Sequence, residues 1–188
     1  MRVIISGGGT GGHIYPAIAI AQKLQENIKD CQILYVGIKG GPEENIAKKY
    51  SYEFRPIEGM GLPRKINKRF FKSLTTNLRG FSEARKIVKE FKPDIAIGTG
   101  GYVCCPIVLK AQQKGIKTMI QEQNAYPGKT NRFLSRKADL VFLNFKEAKK
   151  YFKNSNVIFT GNPIRNDFSH LDRNKKRQEL GLKAEDKL

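Results

Sequence analysis

The chain has 188 residues, of which 35 are Lys or Arg and 17 are Asp or Glu, giving a formal net charge of +18 at pH 7. That length makes one domain with at most the start of another, and a 39% apolar fraction with seven Tyr and eleven Phe is enough to build a core, which excludes a disordered chain. No apolar run approaches the ~18 residues of a membrane span, the N-terminus is too short in apolar residues for a signal peptide, and Cys31, Cys104 and Cys105 form neither a disulfide framework nor a metal-ligand spacing; a soluble, cytoplasmic, strongly basic domain is expected.

The pattern predicts a buried strand over 2–6, a glycine-rich turn, and a helix over 15–27 with Ile18, Ala21 and Leu24 on its apolar side. A strand over 31–37, a short helix over 43–50 and a strand over 52–58 follow. A long helix is expected from Lys68 to Phe91, then strand 94–97, helix 103–114, strand 117–121 and helix 129–137. Strand 140–143, helix 146–152 and strand 157–160 complete the series, with a last helix over 173–182. Strands and helices alternate, and the strands are continuously apolar rather than alternating. That pattern implies an α/β fold, a Rossmann-like doubly wound parallel sheet of about seven strands with helices on both faces. The pattern loosens after Asn162-Pro163, so residues 1–164 are expected to be the domain and 165–188 a linker or the start of a second one.

In such a sheet ligands bind beyond the carboxyl ends of the strands. Two of the loops there are rich in glycine: Ser6-Gly7-Gly8-Gly9-Thr10-Gly11-Gly12-His13 after the first strand, and Gly98-Thr99-Gly100-Gly101-Tyr102 after the fourth. Glycine leaves backbone N–H groups accessible, so both loops can approach a phosphate or sugar closely. Gly7, Gly9 and Gly12 satisfy the dinucleotide fingerprint, but no acid ends the second strand to hold a ribose, which counts against NAD; no Gly-Lys-Ser/Thr follows, which excludes a P-loop. His13 sits where the loop becomes helix, and the partial positive charge there favours the neutral, proton-accepting imidazole; packing on Tyr15 or capping the helix is the structural alternative. Gln121-Glu122-Gln123-Asn124 ends the fifth strand, where four polar side chains either cap the next helix or serve a ligand. Arg165 can fork onto a diphosphate or pair with Asp167. Residues 62–92 carry ten basic and two acidic side chains. Arg64, Lys65, Lys68, Arg69 and Lys72 alternate there with Phe70 and Phe71, a patch suited to anionic headgroups unless the aromatics are core.

Four segments in order, GGGTGGHIYPAIAIAQKL, GTGGYVCCP, QEQNAYPGKTNRFLSRKAD and TGNPIR, resemble the N-acetylglucosaminyltransferases that act on lipid I in bacterial peptidoglycan synthesis, across essentially the whole chain but only their N-terminal half. The resemblance implies a GT-B fold whose N-terminal half takes the lipid acceptor. It implies an inverting, metal-independent transfer from UDP-N-acetylglucosamine to undecaprenyl-diphosphate-linked muramyl-pentapeptide, with no cofactor, on the cytoplasmic face of the membrane. Thr10, Gly11, Gly12, Asn124 and Arg165 would then meet the donor, and Gly100, Gly101 and Tyr102 the acceptor diphosphate. His13, or less favourably Glu122, would be the general base. Gln121 departs from the family pattern, in which histidine is common at that position. Other readings are the N-terminal half of another lipid glycosyltransferase, or a basic nucleotide- or nucleic-acid-binding domain; the membrane patch fits the first resemblance, and neither glycine loop is needed to bind nucleic acid.

Overall fold

The computed structural model describes residues 1–61, 63, 66–153, 156–168, 172–182 and 186. The strands are β1 (Arg2–Gly7), β2 (Gln32–Ile38), β3 (Glu53–Ile57), β4 (Ile95–Gly100), β5 (Lys117–Glu122), β6 (Leu140–Leu143) and β7 (Val157–Phe159). The helices are α1 (Gly11–Asn27), α2 (Pro42–Lys49), α3 (Lys68–Phe91), α4 (Cys104–Gln113), α5 (Lys129–Leu134) and α6 (Arg173–Glu179). The strands form one seven-stranded sheet in the order β3-β2-β1-β4-β5-β6-β7, and every pairing is parallel.

Alternation along β1 distributes the core. Val3 and Ile5 pack with Ile14, Ala17 and Ile18 of α1, whereas Ile4 packs with Ala84, Ile87, Val88 and Phe91 of α3 and Ile107 of α4. A third cluster joins Cys104 and Val108 of α4 to Ile120, Leu134, Val141 and Leu143. Three layers result, with α1 and α2 on one face and α3, α4 and α5 on the other.

Local chemistry sets the ends of α3. The Asn67 side chain accepts from Phe70 N at 3.1 Å, capping the first turn. Lys92 closes the helix in a left-handed conformation (φ 48°) with its N–H on Val88 O, and Pro93 follows. Two expectations are corrected. Helix α1 begins at Gly11 rather than Tyr15, so Pro16 lies in its second turn and the helical bond from residue 16 to the Gly12 carbonyl cannot form. Residues Lys146–Tyr151 are 3-10 rather than α-helical; six residues bridging β6 and β7 are too few to offset the cost of nucleating an α-helix. Residues Ser135–Lys137 also tighten into a 3-10 turn at the end of α5. No described helix is long and apolar enough to cross a membrane.

Candidate active site

From β1 the chain winds outward through β2 to β3, and from β4 it winds the other way. The crevice of a doubly wound sheet therefore opens between β1 and β4, the two strands that end in the glycine loops. The loops are interlocked. Gly8 N lies 3.4 Å from Gly100 O, and a Cβ on Gly101 would fall 2.4 Å from Gly8 O, closer than any real side chain tolerates. Thr99 Oγ1 donates to the His13 carbonyl at 2.7 Å, tying the end of β4 to the first turn of α1. Tyr35, fully buried, donates its hydroxyl to Gly7 O at 2.6 Å; burial pushes its pKa far above the ordinary tyrosine range.

Glu43 braces the first loop from below. It is fully buried, and its carboxylate accepts from Ile38 N at 2.9 Å and from Gly9 N at 3.3 Å. Glycine is required around it, since a Cβ on Gly8, Gly37 or Gly41 would land 2.5, 2.4 or 2.9 Å from its side chain.

The half-buried imidazole of His13 lies against the second loop, where a Cβ on Gly100 would sit 2.6 Å from Nδ1. Nδ1 is 3.2 Å from Gln123 Oε1, and Gln123 Nε2 donates to Thr99 O at 2.8 Å and to Gln121 Oε1. The Thr99 carbonyl can only accept, which fixes the Gln123 amide with its oxygen toward the ring. In the neutral imidazole, Nδ1 therefore carries the proton and Nε2 the lone pair, a tautomer assigned from this network. Loop one and the polar cluster after β5 thus meet through a single hydrogen bond.

Glu122 behaves differently from a free carboxylate. It is 1% exposed and accepts from Asn124 N and Nδ2, both at 2.9 Å, from Gly128 N at 3.1 Å and from Asn131 Nδ2 at 2.9 Å. Four donors fill its acceptor sites, so the side chain staples the 124–128 loop and orients exposed Asn124 rather than presenting a base.

Arg165 stacks 3.9 Å over the Tyr15 ring, donates to Tyr50 Oη at 3.0 Å and pairs with Asp167 at 3.4 Å. The Tyr50 hydroxyl, bonded to the same carboxylate, and the Arg165 charge hold Asp167 below the usual range. Of the two sequence expectations for Arg165, the arrangement adopts the Asp167 pairing. With Gly11, Gly12, Tyr15, Pro16 and Asn162, Arg165 lines a cavity of about 320 Å³, which places it beside the first loop. Thr10 starts α1 without a side-chain cap bond and is exposed. Tyr102, 42% exposed, lies alongside Gly9, where a Cβ would be 3.9 Å from its ring.

Helix α3 buries Ser73, Gly80, Ala84, Ile87 and Phe91, and the opposite side of its N-terminal half leaves Phe71 60%, Leu74 45% and Leu78 62% exposed. Gly80 permits the close seat of α3, as a Cβ there would strike Glu58 O at 1.9 Å. Lys68, Arg69 and Lys72 are exposed beside the apolar stripe, Phe70 is half-buried and packs edge-on against Phe71 at 5.8 Å. Arg64 and Lys65, expected in the same patch, lie outside the described residues, as does His170. Sequence reasoning missed Glu43, Thr99 and Asn131 as site residues and assigned no separate role to Gln123. The glycines at 8, 37 and 41 were the available signal for Glu43.

The model for the glycosyltransferase family 28 N-terminal domain matches residues 3–143. The chain is 52% identical over 177 residues to a Finegoldia magna protein named UDP-N-acetylglucosamine--N-acetylmuramyl-(pentapeptide) pyrophosphoryl-undecaprenol N-acetylglucosamine transferase, covering 94% of this chain and 48% of that protein. An Alkaliphilus oremlandii protein of the same name is 54% identical over 172 residues, 91% of this chain and 47% of its own length. The crystal structure of Acinetobacter baumannii MurG superposes with a TM-score of 0.70 at 32% identity, over 89% of this chain and 47% of that one. The Neisseria meningitidis UDP-GlcNAc 2-epimerase shares the fold at a TM-score of 0.62 and 19% identity. The chain spans about half the length of the curated relatives it matches.

Proposed function

The chain belongs to the family of glycosyltransferase family 28 N-terminal domains, and from that premise we propose that it is the acceptor-binding half of a transferase moving N-acetylglucosamine from UDP-N-acetylglucosamine to the muramyl 4-hydroxyl of lipid I. The observation that carries this reading is the meeting of both glycine loops, His13 and the cluster after β5 at the carboxyl ends of β1, β4 and β5, joined by direct hydrogen bonds. His13 Nε2, left with the lone pair, takes the proton of the acceptor hydroxyl. The hydroxyl oxygen forms a bond to the anomeric carbon as the bond from that carbon to the UDP oxygen breaks, so configuration inverts and UDP leaves with the electron pair.

Backbone N–H groups around Thr10, Gly11 and Gly12, together with Asn124, face the donor, and Gly100, Gly101 and Tyr102 receive the acceptor diphosphate. Glu122 is a positioning residue for Asn124. Arg165 lines one cavity with Gly11 and Gly12 and is available to the donor diphosphate on exchange of its Asp167 partner. Residues 1–164 form the acceptor domain, and residues 165–188 lead toward the half that supplies most of the UDP-sugar contacts in the full-length protein. The α3 stripe, with Lys68, Arg69, Phe70, Phe71 and Lys72, and with Arg64 and Lys65 in the sequence beside it, seats the enzyme on the anionic cytoplasmic face of the membrane, where the lipid acceptor lies.

The test is His13→Ala in the full-length transferase, assayed on lipid I with kcat and the KM for UDP-N-acetylglucosamine measured separately. General-base loss lowers kcat by about 10²–10⁴-fold with little change in donor KM. A variant that keeps near-normal kcat removes His13 from the chemistry.

A further inference from the structure

The second concentration of positive charge lies outside the crevice. Residues 126–153 contain eight basic side chains against two acidic ones, Asp139 and Glu147, and Asp139 is already engaged by Lys117 at 2.7 Å and by Thr118 N at 2.8 Å. Lys129, Arg132 and Arg136 follow one another at spacings of three and four residues along α5 and the 3-10 turn that ends it, which puts them on one face. Lys153 comes toward them from beyond the 3-10 stretch Lys146–Tyr151. These four cations, with Phe133 and Tyr151, line a hollow of about 360 Å³, a volume typical of small-molecule sites. Among the described residues, no carboxylate lies within 4.0 Å of any of the four.

Four like charges converging without a counter-charge repel one another, and an anion relieves that repulsion. The aromatic side chains make the arrangement more than a charged surface. Tyr126 meets Tyr151 edge-on at 5.1 Å, and the Arg132 guanidinium lies 5.4 Å over the Tyr126 ring. Arg132 is therefore held in place before a ligand arrives, which reduces the ordering cost of binding. Four positive charges lining one hollow match the charge of two linked phosphates better than that of one. None of the lining residues belongs to either glycine loop.

We propose that the hollow between α5 and the Lys146–Tyr151 stretch binds a pair of phosphate groups, with Arg132 and Arg136 forking onto the oxygens and Lys129 and Lys153 neutralising the remaining charge. The same chemistry is offered by a soluble diphosphate and by neighbouring phosphodiester headgroups of an anionic lipid. The site is separate from the transfer chemistry, so its test reads binding and not turnover.

The probe is inorganic pyrophosphate titrated into the 188-residue chain, followed by calorimetry and by the arginine side-chain NMR signals. Expected is saturable binding that weakens with salt, falls at least tenfold in Arg132→Gln/Arg136→Gln, and is unchanged in Lys68→Glu/Arg69→Glu/Lys72→Glu. Lys129→Gln/Lys153→Gln provides a second pair of exposed positions, and matched thermal melts establish that each variant is folded. Phosphatidylglycerol vesicles that displace pyrophosphate identify lipid headgroups as the source, whereas failure to displace it identifies a soluble diphosphate; either result upholds the site. Absence of saturable binding, or equal affinity in both α5-side variants and the parent, overturns it.

Discussion

Replacing Glu43 by alanine separates a brace from a bystander. The change leaves Ile38 N, partnered by the carboxylate at 2.9 Å, without an acceptor in a part-buried position, which costs ~1–3 kcal/mol. Gly9 is exposed, so its N–H can turn to water and loses less. Removal of the side chain also opens space among Gly8, Gly37 and Gly41, which have no side chains to fill it, adding about 1 kcal/mol for the one methylene lost. Relief of the buried charge offsets part of this, and the net expectation is about 3 kcal/mol. For a chain of this size that corresponds to a melting-temperature drop of about 6–12 °C. Glu43→Gln keeps the shape but turns an NH₂ toward one of the two N–H donors, so about half the loss is expected. Urea and thermal unfolding of the chain measure both, and amide exchange at Gly9 reports the loop directly. An alanine variant within about 1 kcal/mol of the parent, with Gly9 exchange unchanged, would show that the carboxylate does not hold the loop.

Gly100→Ala places a methyl group 2.6 Å from His13 Nδ1 at a residue with φ of +115°; the imidazole should move off Gln123, and turnover of the full-length enzyme should fall at least tenfold while the fold survives, whereas unaltered His13 ring NMR signals would contradict the assigned packing. Asp139 is held below the ordinary value of 3.8 first by the Lys117 ammonium and then by Thr118 N–H, so its contribution is complete above the unfolded value and is lost as pH falls through the folded one. The urea midpoint of the parent should therefore exceed that of Asp139→Asn at pH 6, with the gap narrowing progressively as pH falls below 3.8; a constant gap would argue against the ion pair. Reversing Lys68, Arg69 and Lys72 to Glu should weaken binding to phosphatidylglycerol vesicles severalfold with the melting temperature preserved, and unchanged binding would reject the α3 stripe as a membrane contact.

Long, strongly periodic elements were legible in the sequence. The predicted bounds of α3 and β6 coincide with those observed, and α3 ends at Phe91, just ahead of Pro93, a breaker visible in the sequence. The start of α1 was not legible, since two glycines at the head of a helix read as turn until the tertiary contacts of Thr99 hold them. The short Lys146–Tyr151 segment read as α-helix from composition, while its length decided for 3-10 geometry. The site divides in the same way. The glycine loops and His13 stand out by residue type, but Glu43 and Gln123 act through hydrogen bonds to residues 34 and 110 positions away, which no window along the chain contains. The saturation of Glu122 was equally hidden, because all four of its donors come from the loop and helix that follow it and depend on their final shape.

Those sequence separations have a consequence for the chain as it emerges from the ribosome. The glycine turn after β1 is made before the residues that complete it: its floor awaits Glu43, its clamp awaits Thr99, and the partner of His13 awaits Gln123. Until Gln123 is outside the exit tunnel, the glycines that serve the finished protein are an unbraced, entropically expensive hinge. Nascent chains halted before that point should expose residues 7–13 to proteases, and those released after it should not.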